Sequence, residues 1–418
     1  MGRFVSGIEG LFALTAAALA FATVLFAPAI LAGGDAYWHI AAGRWMLENR
    51  AILRIDPFSF TFAGHPWRTQ EWLAEAAMAL AFIGAGWKGL ALLFATAAGL
   101  TAGLLVRHLS RQISGIGLIA GAVVALACAA AGLAAEPLLL ALALLEMWTA
   151  ELVFARRQGR RPAWVVLALM PVWANLHASF FVGIALAIGF AVRAAAEKSA
   201  RETHLARDWV LFAAASVVLA TITPYGAYGL AYSLNAVSLL GIGQWIAIVG
   251  IAGSLIAAGP LAGVLGGAPV ARERTATLAP AALFAAVIAL ILGIRLLEPI
   301  DRADGADRPQ SALAHVPQSL THMPVLNDCA FGGYLIFHDV RPFIDSRAGL
   351  YSPAFVRRYE RIAGGDAPLL ANSLTKYHIR WTMLAPGTAA VRAMDGLAGW
   401  HRIYADRWAV VHARNESK

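Results

Sequence analysis

Residues 10–40 read GLFALTAAALAFATVLFAPAILAGGDAYWHI, a run of 25 uncharged residues that ends at Asp35 and a cluster of aromatics and histidine. About 20 apolar residues cross the hydrocarbon core as a helix, because a helix satisfies its own backbone polar groups where no water can. Arg3 and Ala27-Pro28-Ala29 imitate a cleaved secretory signal. The run is longer than the usual ~7–15 residues of a signal core, so it reads as a retained first span.

The same pattern continues outward from this stretch. Gly89–Val106 is uncharged between Lys88 and Arg107, and Gln112–Ala135 is uncharged between Arg111 and Glu136. Pro137–Ala155 is interrupted only by Glu146 and Glu151. Residues 162–192 hold two spans that meet near Pro171, Asn175 and His177, and residues 209–271 hold two more joined from Thr223-Pro224-Tyr225-Gly226. Residues 275–294 complete about nine spans. The expected fold class is therefore an all-α polytopic membrane protein with a small C-terminal α/β domain. The chain is 59% hydrophobic and 14% charged, with a mean hydropathy of +0.65. A soluble domain carries nearer a quarter charged residues.

A net charge of +8 would suit a nucleic-acid partner if it formed a patch, but the basic residues lie in short clusters between apolar runs. That is membrane topology, and no nucleic-acid partner is expected. With the N-terminus inside, the inner segments hold thirteen basic residues, among them Arg107, Arg111, Arg156, Arg157, Arg160 and Arg161. The outer loops before the last span hold five: Arg44, Arg50, Arg54, Arg68 and Lys88. The bias puts the C-terminal domain outside, which is the periplasm if the host is a Gram-negative bacterium. Cys128 and Cys329 form neither a disulfide framework nor a metal pair.

The division expected is a membrane region over residues 1–297, a Pro/Asp/Gly-rich linker over 298–323 and an extracytoplasmic domain over 324–418. The first outer loop, residues 35–71, balances four acids with four arginines, and its tryptophans suit the headgroup level. Trp72–Gly84 reads as an apolar helix too short to span. In the tail, Tyr334–Phe337, Pro342–Ile344, Ile379–Leu384, Arg402–Tyr404 and Trp408–His412 read as strands, with a hairpin turn at Ala405-Asp406-Arg407. Residues 368–377 read as a helix.

Several of these segments form one pattern: Asp35-Ala-Tyr-Trp-His39, Ile55-Asp56-Pro57-Phe58-Ser59, Pro66-Trp67 and Glu71-Trp72-Leu73. Trp173-Ala-Asn175-Leu-His177, Thr223-Pro-Tyr-Gly226, Asn327-Asp328, Gly332-Gly333-Tyr334-Leu335 and Phe343-Ile344-Asp345-Ser346-Arg347 extend it along nearly the whole chain. The pattern resembles a family of bacterial inner-membrane proteins related to the GT-C glycosyltransferases. That superfamily includes the protein mannosyltransferases, the aminoarabinose transferase of lipid A and the catalytic subunit of oligosaccharyltransferase. The resemblance implies a GT-C-like helix bundle in the inner membrane that takes a polyprenyl-phosphate-linked sugar and passes it to a lipid, glycan or protein acceptor in the cell envelope. It also implies a catalytic acid in the first outer loop, a slot that Asp35 occupies. Many GT-C enzymes carry paired acids there, whereas Asp35 is followed by Ala36 and the next acid is Glu48. Gln244 stands before Trp245 where relatives often have an acid. Those departures motivate an alternative, a non-catalytic GT-C-like envelope assembly factor or lipid-glycan transporter.

Asp35 reads either as a general base that removes a proton from the acceptor hydroxyl or as a cap for the following helix. A phosphate leaving group makes a second carboxylic acid unnecessary, unlike in glycosidases. His39, four residues on, either orients Asp35 or touches phosphate, or else only bonds water. Arg44, Arg54 and Arg68 read as clamps for a lipid phosphate or as partners of Glu48, Asp56 and Glu71. Asp56 before Pro57 is substrate contact or turn chemistry. His65 and Glu71 complete the loop's candidate substrate contacts. Asn175 and His177 line a cavity or tie a helix turn, and Glu146, alone in mid-span, is functional or paired within the bundle. Asp345 and Arg347 bind an acceptor or form a local salt bridge. No set of residues at metal-ligand spacing stands out; a divalent ion on Asp35 is a cofactor reading for which the loop shows no second ligand.

Overall fold

The computed structural model describes residues 8–27, 31, 33–196, 200–237, 240–262, 279–300, 302–347 and 349–415. Arg3, Lys198, Arg272, Arg274 and the Pro28-Ala29 pair lie outside the described residues. In chain order the helices are α1 (Ile8–Phe26), α2 (Asp35–Asn49), α3 (Trp72–Leu109), α4 (Gly115–Ala130), α5 (Pro137–Arg157), α6 (Leu169–Leu176), α7 (Phe180–Ala196), α8 (Ala200–Leu219), α9 (Gly226–Val237), α10 (Ile242–Leu261) and α11 (Ala279–Leu297). The tail adds α12 (Gln310–Ala314), α13 (Gln318–Thr321), α14 (Gly332–Phe337), α15 (Pro353–Ala363), α16 (Ala367–Lys376) and α17 (Ala389–Asp395). Its strands are β1 (Val325–Asn327), β2 (Trp381–Leu384), β3 (Trp400–Ala405) and β4 (Val410–Arg414). The chain divides into two compact units, Met1–Leu31 with Gln70–Ile300, and Ala32–Thr69 with Asp301–Lys418.

The first unit is helical. Trp72–Leu109, Pro137–Arg157 and Ile242–Leu261 are long and apolar enough to cross a membrane; Gly10–Phe26, Gly115–Ala130, Trp164–Leu176, Phe180–Ala196 and Ala282–Leu297 are shorter apolar helical segments among the described residues. Helix α3 is broken at Ala85 and Gly86, where Gly86 has φ +57° and ψ −141°, a conformation that glycine reaches without strain. The break separates the short apolar helix expected over Trp72–Gly84 from the span that follows.

Small residues let the helices approach. A Cβ added to Gly99 would lie 3.0 Å from the Ala17 carbonyl oxygen of α1, and one added to Gly103 3.0 Å from the Ala17 Cβ. Across α4 and α10, a Cβ on Gly250 would lie 2.3 Å from Cys128 Cβ, and one on Gly243 2.4 Å from the Ala131 carbonyl oxygen. In lipid, where burial of apolar surface does not drive helices together, such close packing is a main source of association. Ile116, Val124, Val249, Leu290 and Leu297 face outward, an apolar exterior suited to lipid.

The second unit is α/β. Its sheet has the order β1-β2-β4-β3, with β1 parallel to β2 and the other pairs antiparallel. The expected hairpin is present: Asp406 Oδ1 accepts from the Trp408 and Ala409 amides and closes the turn between β3 and β4. Helix α16 falls where a helix was read. Two expected strands are corrected. Tyr334–Phe337 belongs to α14, and Pro342–Ile344 is a buried segment outside the sheet. Asn327 takes the ladder's place there, its Nδ2 donating to the Ile344 carbonyl at 2.8 Å and its Oδ1 accepting from the Phe343 amide at 2.7 Å. Thr61 Oγ1 donates to the Phe343 carbonyl at 2.7 Å, so the first loop completes the satisfaction of this segment. Phe60 and Phe62 of the loop pack on the core formed by Leu326, Phe343, Phe355 and Leu370.

Candidate functional site

Helix α2 opens at a crowded point of the second unit. Gly34 precedes it, and a Cβ there would lie 3.2 Å from Asp307 Cβ and 3.4 Å from the Ala330 carbonyl oxygen. From α14, a Cβ on Gly333 would meet the Gly34 carbonyl oxygen at 2.6 Å, and one on Gly332 would lie 2.5 Å from the Asp345 Cα. The double glycine thus lets one short helix touch the backbones beside Asp35 and at Asp345. Tyr37 fixes the same junction with its ring edge-on to Tyr334 and Phe337, at centroid distances of 5.1 and 5.2 Å.

Asp35 lies in the first turn of α2 and is partly exposed. Its Oδ1 accepts from Trp38 Nε1 at 3.1 Å and from the Ser346 hydroxyl. Among the described residues no hydrogen-bond or ion-pair partner meets its Oδ2. His39 is buried and its ring lies against Trp38, which is edge-on to Trp67. A second carboxyl stands close by. Burial raises the Asp307 carboxyl above its ordinary value; Arg308 pulls it down, and the charge on Asp35 adds to the rise. Burial also pushes the Cys329 thiol up to about 12, with Asp345, Asp328 and Asp35 adding to it.

Asp56 has a different environment. Its carboxylate accepts from the Phe58 and Ser59 amides and from the Ser59 hydroxyl, an Asx turn before the chain returns at His65. It also accepts from Arg347 Nη1 at 2.7 Å, while Arg347 Nε and Nη2 grip Asp345 at 2.8 Å each. All three side chains are buried, and the guanidinium lies over the Trp67 ring at 4.6 Å. Burial alone would lower the Arg347 pKa, but Asp345 and Asp56 outweigh it and the group is held well above its usual range. Tyr351 donates to Asp345 Oδ2 at 2.6 Å, and burial together with that carboxylate raises its phenol. Of the two readings of Asp345 and Arg347, the geometry gives the salt bridge, and it reaches into the first loop.

The remaining loop candidates are more open. His65 is exposed with its ring 5.0 Å from Phe62, Arg54 is exposed, and Arg44 and Arg68 are half-buried. No ion pair joins Arg44 to Glu48, and Asp56 pairs with Arg347 rather than Arg54.

Glu71, Asn175 and His177 gather in the first unit. Asn175 Oδ1 accepts from Trp72 Nε1 at 2.5 Å, and its Nδ2 donates to the Pro171 and Ile222 carbonyls at 2.7 and 2.8 Å. Gln70 Nε2 donates to the Ala174 carbonyl at 3.0 Å. These bonds tie the last turns of α6 to Gln70 and Trp72 and to the Ile222 carbonyl beyond α8. His177 Nδ1 accepts from the Ser179 amide at 3.1 Å, so in neutral histidine the proton is on Nε2, which lies 3.5 Å from Glu71 Oε1. Glu146 is paired: one oxygen lies 2.5 Å from His108 Nδ1, while Oε2 is buried without a partner.

Ser346 and Asp307 come to Asp35 from far along the chain. Ser346 lies in the Phe343–Arg347 motif between two charged residues, but nothing in that motif points it at Asp35. Among the described residues, no three or more His, Cys, Asp or Glu side chains form a group fit to hold a metal ion. No protein-family model matches the chain, and no curated protein matches it either.

Proposed function

We propose that the chain is an inner-membrane glycosyltransferase of the GT-C type. In this reading about nine spans carry the second unit on the outer face. There the enzyme moves a sugar from a polyprenyl-phosphate carrier to a lipid, glycan or protein acceptor. The observation that carries the proposal is the Asp35 carboxylate, with one oxygen fixed by two neutral donors and the other open. A base needs such an arrangement: oriented and not tied to a cation. Oδ2 takes the proton of an acceptor hydroxyl, whose oxygen forms a bond to the sugar's anomeric carbon. The bond from that carbon to the phosphate oxygen breaks, and its electron pair leaves with the phosphate. Arg44, Arg54 and Arg68 are the cations of the loop suited to that phosphate.

The test is mass spectrometry of envelope lipids and glycans from a deletion strain complemented with wild type or Asp35→Asn at matched membrane levels. A glycan-bearing species lost on deletion and restored by wild type alone supports the proposal. Full restoration by Asp35→Asn overturns it. A second reading, a lipid-glycan transporter, draws on the buried Glu146–His108 pair, since ionisable residues within spans often mark transport pathways. It predicts that Glu146→Gln abolishes the phenotype while Asp35→Asn leaves it.

A further inference from the structure

We infer that Ser346 is a positioning residue for Asp35: its hydroxyl selects Oδ2 as the proton-accepting atom and orients it. The inference rests on the proposed role of Asp35 as the base.

Ser346 sits on a segment that its neighbours hold in place. Its two neighbours, Asp345 and Arg347, are buried, and Ser346 itself is exposed. Asp345 Oδ1 accepts from the Arg347 amide at 3.0 Å, which tightens the three-residue segment. Arg347 anchors it to Asp56, Tyr351 holds Asp345, and Gly332 packs against the Asp345 backbone. The segment is therefore fixed without the serine hydroxyl. On the other side, Gly333 packs against Gly34. One pair of adjacent glycines on α14 thus sets the spacing between the backbones that present Ser346 and Asp35. A hydroxyl not required to hold its own segment is nonetheless aimed at a carboxylate 311 positions away in the chain.

Charge explains the choice of donor. A guanidinium on Asp35 would neutralise it and weaken it as a base. The nearby Arg347 is instead directed to Asp345 and Asp56, and the two donors to Asp35 are a hydroxyl and an indole, both neutral. Both go to Oδ1. The carboxylate is therefore oriented while its charge is left available, and Oδ2 is the atom presented to an acceptor hydroxyl. Because a base must be held in hydrogen-bond reach of its proton and correctly oriented, losing one of two orienting bonds lowers the rate without removing the base.

The experiment uses the full chain in the deletion strain. It follows the rate at which the missing glycan species reappears after induction of wild type, Asp35→Asn, Ser346→Ala or Ser346→Thr. Protease resistance of the second unit is checked for each variant. The expected result is no recovery with Asp35→Asn and recovery about tenfold slower with Ser346→Ala, as for loss of a hydrogen bond to a charged group. Ser346→Thr, which keeps the hydroxyl, returns to within about twofold of wild type on the same reasoning. If Asp35→Asn fails while Ser346→Ala recovers at the wild-type rate, the inference is overturned and the base reading stands. If threonine does no better than alanine in a protease-resistant protein, the inference is likewise overturned. If Asp35→Asn recovers fully, or deletion removes no species, the base reading falls and takes this inference with it.

Discussion

Replacing Arg347 with methionine tests the buried charge group at its centre. The substitution removes three charge-assisted hydrogen bonds, one to Asp56 and two to Asp345, and the contact of the guanidinium with Trp67. It leaves two fully buried carboxylates without their cation. Breaking a buried pair by removing one partner costs about 3–5 kcal/mol. At about 1.4 kcal/mol per factor of ten, the opening equilibrium of this region rises by roughly two to three and a half orders of magnitude. That is a large share of the ~5–15 kcal/mol stability of a typical domain. Hydrogen–deuterium exchange of the full-length protein in detergent reads it directly, in peptides covering residues 55–62 and 343–351. Both peptides should exchange faster together, since one side chain ties them. The neutral triple variant Asp56→Asn, Arg347→Met, Asp345→Asn should recover most of the protection, because no charge is then left unpaired. Unchanged exchange in Arg347→Met, or loss confined to one of the two peptides, would refute the reasoning.

Other outcomes follow from the same geometry. Gly250→Leu places side-chain atoms where even a Cβ would lie 2.3 Å from Cys128, whereas a Cβ on Gly253 meets nothing closer than 3.9 Å. The first should cost about 1–3 kcal/mol by overpacking and lower the thermal midpoint in detergent, while Gly253→Ala should not. Asn175→Ala removes three hydrogen bonds at the α6 break and should cost about 1–3 kcal/mol in the same melt. Asn175→Asp should be worse, because an acceptor would then face the Pro171 and Ile222 carbonyls. The second unit should also lose stability in acid. Burial lowers the His412 pKa below its ordinary 6.5, and hydrogen bonds from Arg402 above all hold Asp395 down to about 2. Both groups bind fewer protons folded than unfolded, so their contribution is present above the unfolded pKa and is lost as pH falls through the folded one. Protection in β4, taken against the intrinsic exchange rate at each pH, should therefore fall as pH drops below 6.5 and again between 3.8 and about 2; His412→Gln should remove the upper step alone.

The apolar, helical character of the first unit was legible because charge-free runs are a global signal that survives without tertiary information; among the described residues three of its helices are long and apolar enough to cross a membrane. The break after Gly84, the hairpin at Asp406 and helix α16 follow from local chemistry in the same way. Tyr334–Phe337 did not, because a run of four apolar residues has no period to separate a strand from a buried helix. The glycines before it carried the better signal, since paired glycines at the head of a buried run mark close backbone approach. Asp35 and Asp56 read alike in one dimension, as loop acids near aromatics. Only the fold separates them, tying Asp56 to Arg347 and leaving Asp35 to Ser346, and no local pattern encodes partners so distant in the chain.

The most direct measurement is transfer itself. Purified wild-type and Asp35→Asn proteins would be reconstituted into vesicles with native lipid extract and the polyprenyl-phosphate fraction carrying a labelled sugar. The account predicts that label moves from the carrier to an acceptor with wild type and moves about 10²–10⁴-fold more slowly with Asp35→Asn, the usual loss when a general base is removed. Transfer at the wild-type rate by Asp35→Asn would contradict it.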